Sequence, residues 1–190
     1  CLSYNGNKIM TAGGGGMIVT NNDLWAERAK YLTTQAKDDP FEYIHTEVGY
    51  NYRMPNVLAA IGCAQLETLS RFVEAKRRIA EKYAVAFDEI PGIRIVKEAP
   101  WAFSTYWLYT ILIDEAEFGM SSRCLAQRLA AQDVQSRCIW QPLHRSLAHE
   151  DSPQRDCPVA DQLFEQALSL PSSVGLSSFN QDRVITAVIA

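Results

Sequence analysis

The chain has 190 residues, 47% of them hydrophobic and 21% charged, which is enough to bury a core and excludes a disordered segment by composition. Its net charge of -4 excludes a surface that coats nucleic acid, which needs clustered Lys and Arg, while one local phosphate site stays open. No apolar run approaches the roughly 18 residues that span a bilayer, and the first ten residues mix Asn, Lys and Gly where a signal peptide is apolar, so the expectation is a soluble, cytoplasmic protein with no membrane partner.

Cys1 stands where a Met would start a protein, and the opening residues read as the end of a strand entering a loop, so the chain is expected to be a piece of something longer. Four glycines, Gly13 to Gly16, lead into an apolar run at 16–20 that reads as a short buried strand. Asn21-Asn22-Asp23 then offers a helix cap, and a helix follows over 24–32 with Leu24, Ala29 and Leu32 on one face. Residues 33–54 hold Pro40, Gly49 and many aromatics without periodicity, the pattern of an ordered, functional loop. Pro55 suits a first helical turn, and Leu58, Ile61, Leu66, Leu69, Phe72, Val73, Ile79, Tyr83 and Phe87 recur at spacings of mostly three and four. That pattern runs to Ile90, where Pro91-Gly92 stops it; one rod of this length is roughly 50 Å, so a bend is expected near Ser70.

Beyond it the rhythm predicts strands at 93–97, 106–113 and 134–140, with a helix capped by Ser121 or Ser122 before the last. Helices are predicted over 159–168 and from Gln181 onward, the latter with Ser178-Phe179-Asn180-Gln181 as a capping box. The sum is a small α+β unit, its strands covered by helices on one face. Five widely spaced cysteines, with no C-x-x-C pair, point to reduced thiols rather than zinc or a disulfide framework.

The densest chemistry lies at the start. In Ser3-Tyr4-Asn5-Gly6-Asn7-Lys8 a lysine follows a strand, with small polar residues before it and a glycine run after it, an arrangement that can hold an amine rigidly against a flat cofactor. Burial or a neighbouring cation would lower the lysine's pKa, which imine formation needs. A solvated lysine beside an ordinary turn is the bland alternative. A phosphate-cradling P-loop fails on order, because there the lysine closes the glycine loop and opens a helix, whereas here it precedes the glycines.

The motifs then acquire company. Ser3 to Lys8, the glycine loop, Thr34-Gln35-Ala36, His45-Thr46-Glu47, Gly49-Tyr50-Asn51-Tyr52-Arg53-Met54, Ala59-Ala60-Ile61-Gly62, Ala64-Gln65-Leu66-Glu67, Trp140-Gln141-Pro142-Leu143-His144 and Leu170-Pro171-Ser172 together resemble the DegT/DnrJ/EryC1/StrS aminotransferases, in order and over nearly the whole chain. Within that family the chain looks most like enzymes that aminate UDP-4-keto-6-deoxy-N-acetylhexosamines on the way to bacillosamine-type sugars. The resemblance implies an α/β fold, the pyridoxal-phosphate-dependent transferase fold type I (aspartate aminotransferase-like). Residues 1–54 would end the large cofactor-binding domain, 55–90 form the connecting helix, and 91–190 form the small C-terminal α+β domain.

It also implies roles. Lys8 matches the lysine that binds pyridoxal 5'-phosphate covalently and moves the proton during amino transfer; Ser3 matches a donor to the cofactor phosphate. Asn51 matches an asparagine that reaches the neighbouring subunit's cofactor, which makes the partner a second copy of the chain with shared active sites; a dianion takes its donors from several groups. Arg53 is placed at substrate phosphate or an intersubunit carboxylate, with a surface ion pair as the alternative. His144 matches a histidine near the sugar-nucleotide pocket, and Trp140 and Trp107 offer flat faces to a sugar or base, although a strand tryptophan is usually core. His45 and His149 receive no role, and no metal site is expected.

The reaction implied is transfer of an amino group from an amino acid, glutamate in general, to a 4-keto nucleotide sugar, UDP-linked, for surface polysaccharide or glycan biosynthesis. A dehydratase branch of the family carries histidine at the position of Lys8. The chain departs from its relatives at Ser104-Thr105-Tyr106-Trp107-Leu108, where Ser-Asn-Arg-Trp-Leu is usual, and at Ser173, where glycine is usual. Two other classes remain: a truncated, non-catalytic dimerisation or regulatory module, and a nucleotide-binding module built on the glycine loop.

Overall fold

The computed structural model describes residues 1–39, 41–153 and 155–190; Pro40, noted above within the 33–54 loop, lies outside them. The chain divides into two units, Cys1–Arg71 and Phe72–Ala190.

In the first unit β1 (Leu2–Ser3) pairs antiparallel with β2 (Gly16–Met17), Leu2 opposite Met17 and Ser3 opposite Gly16. A Cβ on Gly16 would stand 2.4 Å from the Leu2 carbonyl oxygen, so the pairing requires glycine there. The buried strand expected at 16–20 is corrected: two residues pair, and Met17, Ile18 and Val19 are exposed. A strand buries only what its neighbours cover, and β2 has one neighbour among the described residues. Helix α1 (Asp23–Thr33) starts as predicted, the Asn22 side chain accepting from the Trp25 N–H, but Leu24 on its expected inner face is exposed. The long helical pattern is two helices, α2 (Asn56–Glu67) and α3 (Leu69–Phe87), broken at Thr68, whose N–H closes on Gln65 and Leu66. Pro55 precedes the helix as its extended cap residue rather than sitting in its first turn.

From Phe72 onward α3 belongs to the second unit. It is followed by β3 (Ile93–Ile95), β4 (Tyr109–Ile113), α4 (Glu115–Phe118), α5 (Ser122–Ala130), β5 (Arg137–Cys138), α6 (Pro158–Gln166), β6 (Ala167–Leu170) and α7 (Ser178–Ile189). The four strands form one antiparallel sheet in the order β3-β4-β6-β5. The expected helix over 159–168 is corrected at its end: it stops at Gln166, and the four residues from Ala167, which is extended, become an inner strand of the sheet. All four are buried, so Ala-Leu-Ser-Leu shows neither helical nor alternating period. The capping box at α7 is not formed either. Ser177 is the cap, accepting from Asn180 N–H, and the Gln181 side chain points inward to donate to the Ile79 carbonyl at 2.8 Å.

Tyr109, Ile111 and Ile113 alternate along β4 and face the core, where they meet Tyr83 and Phe87 of α3, Leu125 and Leu129 of α5, Leu168 of β6 and Val188 of α7. The Tyr83 ring stacks on Tyr109 at 4.9 Å and Phe87 at 5.7 Å, and its hydroxyl donates to the Pro171 carbonyl at 2.8 Å. Leu168 is fully buried in the strand that joins β4 to β5. Leu168→Ala is expected to cost about 2–5 kcal/mol of folding stability by chemical denaturation, whereas Leu147→Ala, at an exposed position, costs less than about 0.5 kcal/mol.

Candidate active site

Lys8 sits in the loop that joins β1 to β2, and that loop is pinned through one residue. The Tyr4 N–H donates to the Gly15 carbonyl at 3.0 Å, and the Tyr4 carbonyl accepts from the Ala12 N–H at 3.0 Å and the Thr11 hydroxyl at 3.1 Å. Within this closure the Lys8 N–H donates to the Asn5 carbonyl at 3.0 Å, making a turn that ends on the lysine, whose side chain is half-buried. Gly13 and Gly15 adopt φ of 84° and 82°, the left-handed region that a side chain opposes. Ser3, the last residue of β1, leads into this loop and is exposed, its hydroxyl accepting weakly from the Asn5 N–H at 3.4 Å. The structure thus places Ser3 at the end of the strand that enters the constrained loop carrying Lys8.

The described residues after α1 are tied together by their polar groups. Asp38 accepts from the Tyr31 hydroxyl at 2.7 Å, the Thr46 N–H at 2.7 Å and the Thr46 hydroxyl at 3.0 Å. These donors, Tyr31 foremost, hold its carboxyl below the usual range. Arg28 grips Glu47 through two nitrogens, and the His45 ring meets the Gln35 carbonyl at 2.8 Å. Gln35 and Ala36 both have positive φ, and a Cβ on Gly49 would overlap the Ala36 nitrogen at 2.3 Å, so two stretches of backbone touch here. The same packing sets Asn51 opposite Thr34 in a bridge, with the Tyr52 N–H donating to Thr33 O at 3.0 Å. Asn51 and Arg53 are exposed.

The second unit carries His144 and Trp140. His144 Nε2 lies 3.0 and 3.2 Å from the two oxygens of Asp161, in the first turn of α6, so the carboxylate fixes the ring and leaves Nδ1 for another partner. Arg145 reaches the same carboxylate at 3.6 Å and Glu165 at 3.0 Å. Trp140, two residues past β5, is exposed and stacks on Trp107, ring centroids 6.1 Å apart at 26°, so it is not core.

Sequence reasoning passed over Asp161, Lys76 and Arg77. Lys76 is buried and donates to the Trp107 carbonyl at 2.7 Å, and burial pushes its pKa down to about 8. Its signal was faint: three basic residues in a row on an amphipathic helix read as a solvated face. A cleft of about 540 Å3 opens along α3 beside Arg77, Tyr106 and Tyr109, but neither His144 nor Trp140 lines it. Among the described residues no cluster of His, Cys, Asp and Glu could hold a metal ion, and no helix is long and apolar enough to cross a membrane.

Comparison with known proteins converges on one group. The profile of the DegT/DnrJ/EryC1/StrS aminotransferase family matches residues 1–189. EpsN of Bacillus subtilis, whose name describes a pyridoxal phosphate-dependent aminotransferase, is 37% identical over 99% of this chain and 49% of its own length. A GDP-perosamine synthase of Vibrio cholerae is 36% identical over 92% of the chain and 47% of its length. The crystal structure of the aminotransferase TlmJ from Streptoalloteichus hindustanus superposes with a TM-score of 0.89 at 29% identity, over 98% of this chain and 50% of that one. The fold is therefore that of the fold-type-I pyridoxal-phosphate enzymes, and the chain spans about half the length of the relatives it matches. The first loop fits that cofactor in two respects: Lys8 is a half-buried primary amine on a pinned turn, and Ser3, at the end of the strand that leads into it, carries an exposed hydroxyl with a proton to donate.

The Asp38 network makes a pH-dependent prediction. A carboxylate with a depressed folded pKa stabilises above its unfolded pKa and loses that contribution as pH falls through the folded value. Hydrogen-exchange protection at Thr46 is expected to drop several-fold on such acidification and to be lowered already near neutral pH in Asp38→Asn; equal protection in the two proteins contradicts the assigned role.

Proposed function

The chain belongs to the DegT/DnrJ/EryC1/StrS aminotransferase family, and on that premise we propose that it supplies the lysine-bearing half of an enzyme that moves an amino group from an amino acid, glutamate, to a 4-keto nucleotide sugar, UDP-linked, for glycan or surface polysaccharide synthesis. The observation that carries the reading is the pinned turn ending on Lys8, in a chain whose family uses pyridoxal phosphate. When bound, that cofactor supplies an electron sink that makes a proton on the adjacent carbon removable. Lys8 would hold that cofactor through its ε-amine, and the same amine would carry the proton during amino transfer, as base and acid in turn. A side chain can do both only if its stem is held at one spot, and the closure on Tyr4 does that for the backbone of the loop.

The other nominated residues follow. Ser3 donates to the cofactor phosphate from the same loop. Asn51, exposed on an ordered loop, reaches the cofactor of a second copy of the chain, so the active sites are shared in a homodimer. Arg53 meets substrate phosphate. In the second unit His144, oriented by Asp161, and the Trp107–Trp140 pair recognise the sugar nucleotide, the indoles by stacking. Along the chain, residues 1–54 belong to the large domain, 55–90 to the connection and 91–190 to the small domain. A GDP-linked substrate is the second reading, favoured by identities of 36%, 35% and 34% to three GDP-perosamine synthases.

Borohydride reduction of the holoenzyme is expected to leave the cofactor's mass on the peptide containing Lys8, and Lys8→Ala to lower amino transfer by at least ~10³-fold. A Lys8→Ala protein that keeps its turnover, or label on another lysine, overturns the proposal. Parallel KM values for UDP- and GDP-linked 4-keto sugars decide between the two nucleotides.

A further inference from the structure

Two adjacent cations on α3 hold opposite ends of one short segment. Lys76 is 5% exposed, and its ammonium donates to the Trp107 carbonyl at 2.7 Å, to the Ser172 hydroxyl at 3.1 Å and to the Ser172 carbonyl, which uses all three of its N–H groups. Arg77 donates to the Ser104 carbonyl at 2.7 Å while paired with Glu98 at 2.7 Å, and Glu98 in turn accepts from the Ser104 N–H. Between these two grips Tyr106 has φ of 45°, a conformation a large aromatic residue adopts only where its surroundings impose it, and its N–H is taken by the Ser104 hydroxyl at 3.1 Å. The Phe103 and Tyr106 rings lie against the Arg77 guanidinium, 4.3 and 5.6 Å from ring centre to carbon. The segment ends in Trp107, which stacks on Trp140.

We propose that Lys76 is a positioning residue: with Arg77 it clamps residues 104–107, and so fixes the Trp107–Trp140 pair as a rigid face against which the base or sugar of the nucleotide-sugar substrate rests. The inference rests on the function proposed above and adds a residue and a device to it. Among the described residues Lys76 meets no carboxylate, and burying an ammonium that only oxygens of neutral groups receive is costly where a methionine would pack as well. The clamp is what that cost sustains. The titratable groups on the elements around it are otherwise engaged: Arg77 with Glu98, Lys82 with Asp182, Tyr83 with the Pro171 carbonyl, while burial raises the Tyr109 hydroxyl out of range. Lys76 itself titrates at about 8, and the neutral amine has two N–H groups for three acceptors, so one grip is lost as pH rises through that value.

The test uses the holoenzyme labelled with 5-fluorotryptophan, the two resonances assigned by their loss in Trp107→Phe and Trp140→Phe. The Trp107 signal is expected to move with a midpoint near pH 8 in the native protein and to stay fixed over roughly pH 7–10 in Lys76→Arg, whose guanidinium keeps its charge. Lys76→Met is expected to raise the sugar-nucleotide KM about tenfold with little change in kcat or in the KM of the amino donor, and Lys76→Arg to restore most of it. The same midpoint in native and Lys76→Arg proteins, or an unmoved signal in both, overturns the clamp. The expected fluorine response with an unchanged sugar KM overturns the substrate-positioning role. Failure of the aminotransferase reading shows elsewhere, as full turnover in Lys8→Ala, and leaves the fluorine response untouched.

Discussion

A positive charge on the core-facing side of α3 constrains much of the second unit. Ile79, Ala80, Tyr83 and Phe87 follow Lys76 at helical spacing and are all buried, so the packing that closes the core also takes Lys76 out of water. An ammonium so placed must find oxygens, and the ones it finds belong to Trp107, at the entry to β4, and Ser172, just past β6. One side chain thereby ties a helix to the flanks of two paired strands. Arg77, one residue on, is turned away from that face and reaches Ser104 and Glu98 instead. The geometry of residues 104–107 is the joint result.

The glycine loop was legible because everything that shapes it lies within a dozen residues: the turn at Asn5, the pinning of Tyr4 and the left-handed glycines are all local. Helices α1 and α5 were legible for the same reason, each beginning at a polar cap that the sequence displays. Strand β6 was not, since four buried residues carry no period and what makes them a strand is β4 on one side and β5 on the other. Asp161 and Lys76 escaped for a similar reason. Their partners stand 17, 31 and 96 residues away, and nothing near a lysine in a basic run or an aspartate in a helix announces such a meeting.

The first unit shows the converse error. The apolar run after the glycines reads as buried, yet Met17, Ile18 and Val19 are exposed, as are Leu2 and Trp25. Composition records which residues tolerate burial, whereas burial itself is decided by the neighbours present, and among the described residues β1 is the one strand paired with β2. The loop beyond α1 stays ordered without such cover because its polar groups satisfy one another around Asp38.

The proposed function divides its labour between the two units, and that division bears on specificity. Lys8, Ser3, Asn51 and Arg53 lie in the first unit, while His144, Trp107 and Trp140 lie in the second, so on that proposal the lysine and one substrate-phosphate contact belong to the first unit and the histidine and indole pair to the second. Both departures from the family pattern, at Thr105-Tyr106 and at Ser173, are in the second unit and flank the two points that Lys76 holds, Trp107 and Ser172. On the proposed function, a change at these positions acts on the indole pair through the two points that Lys76 holds.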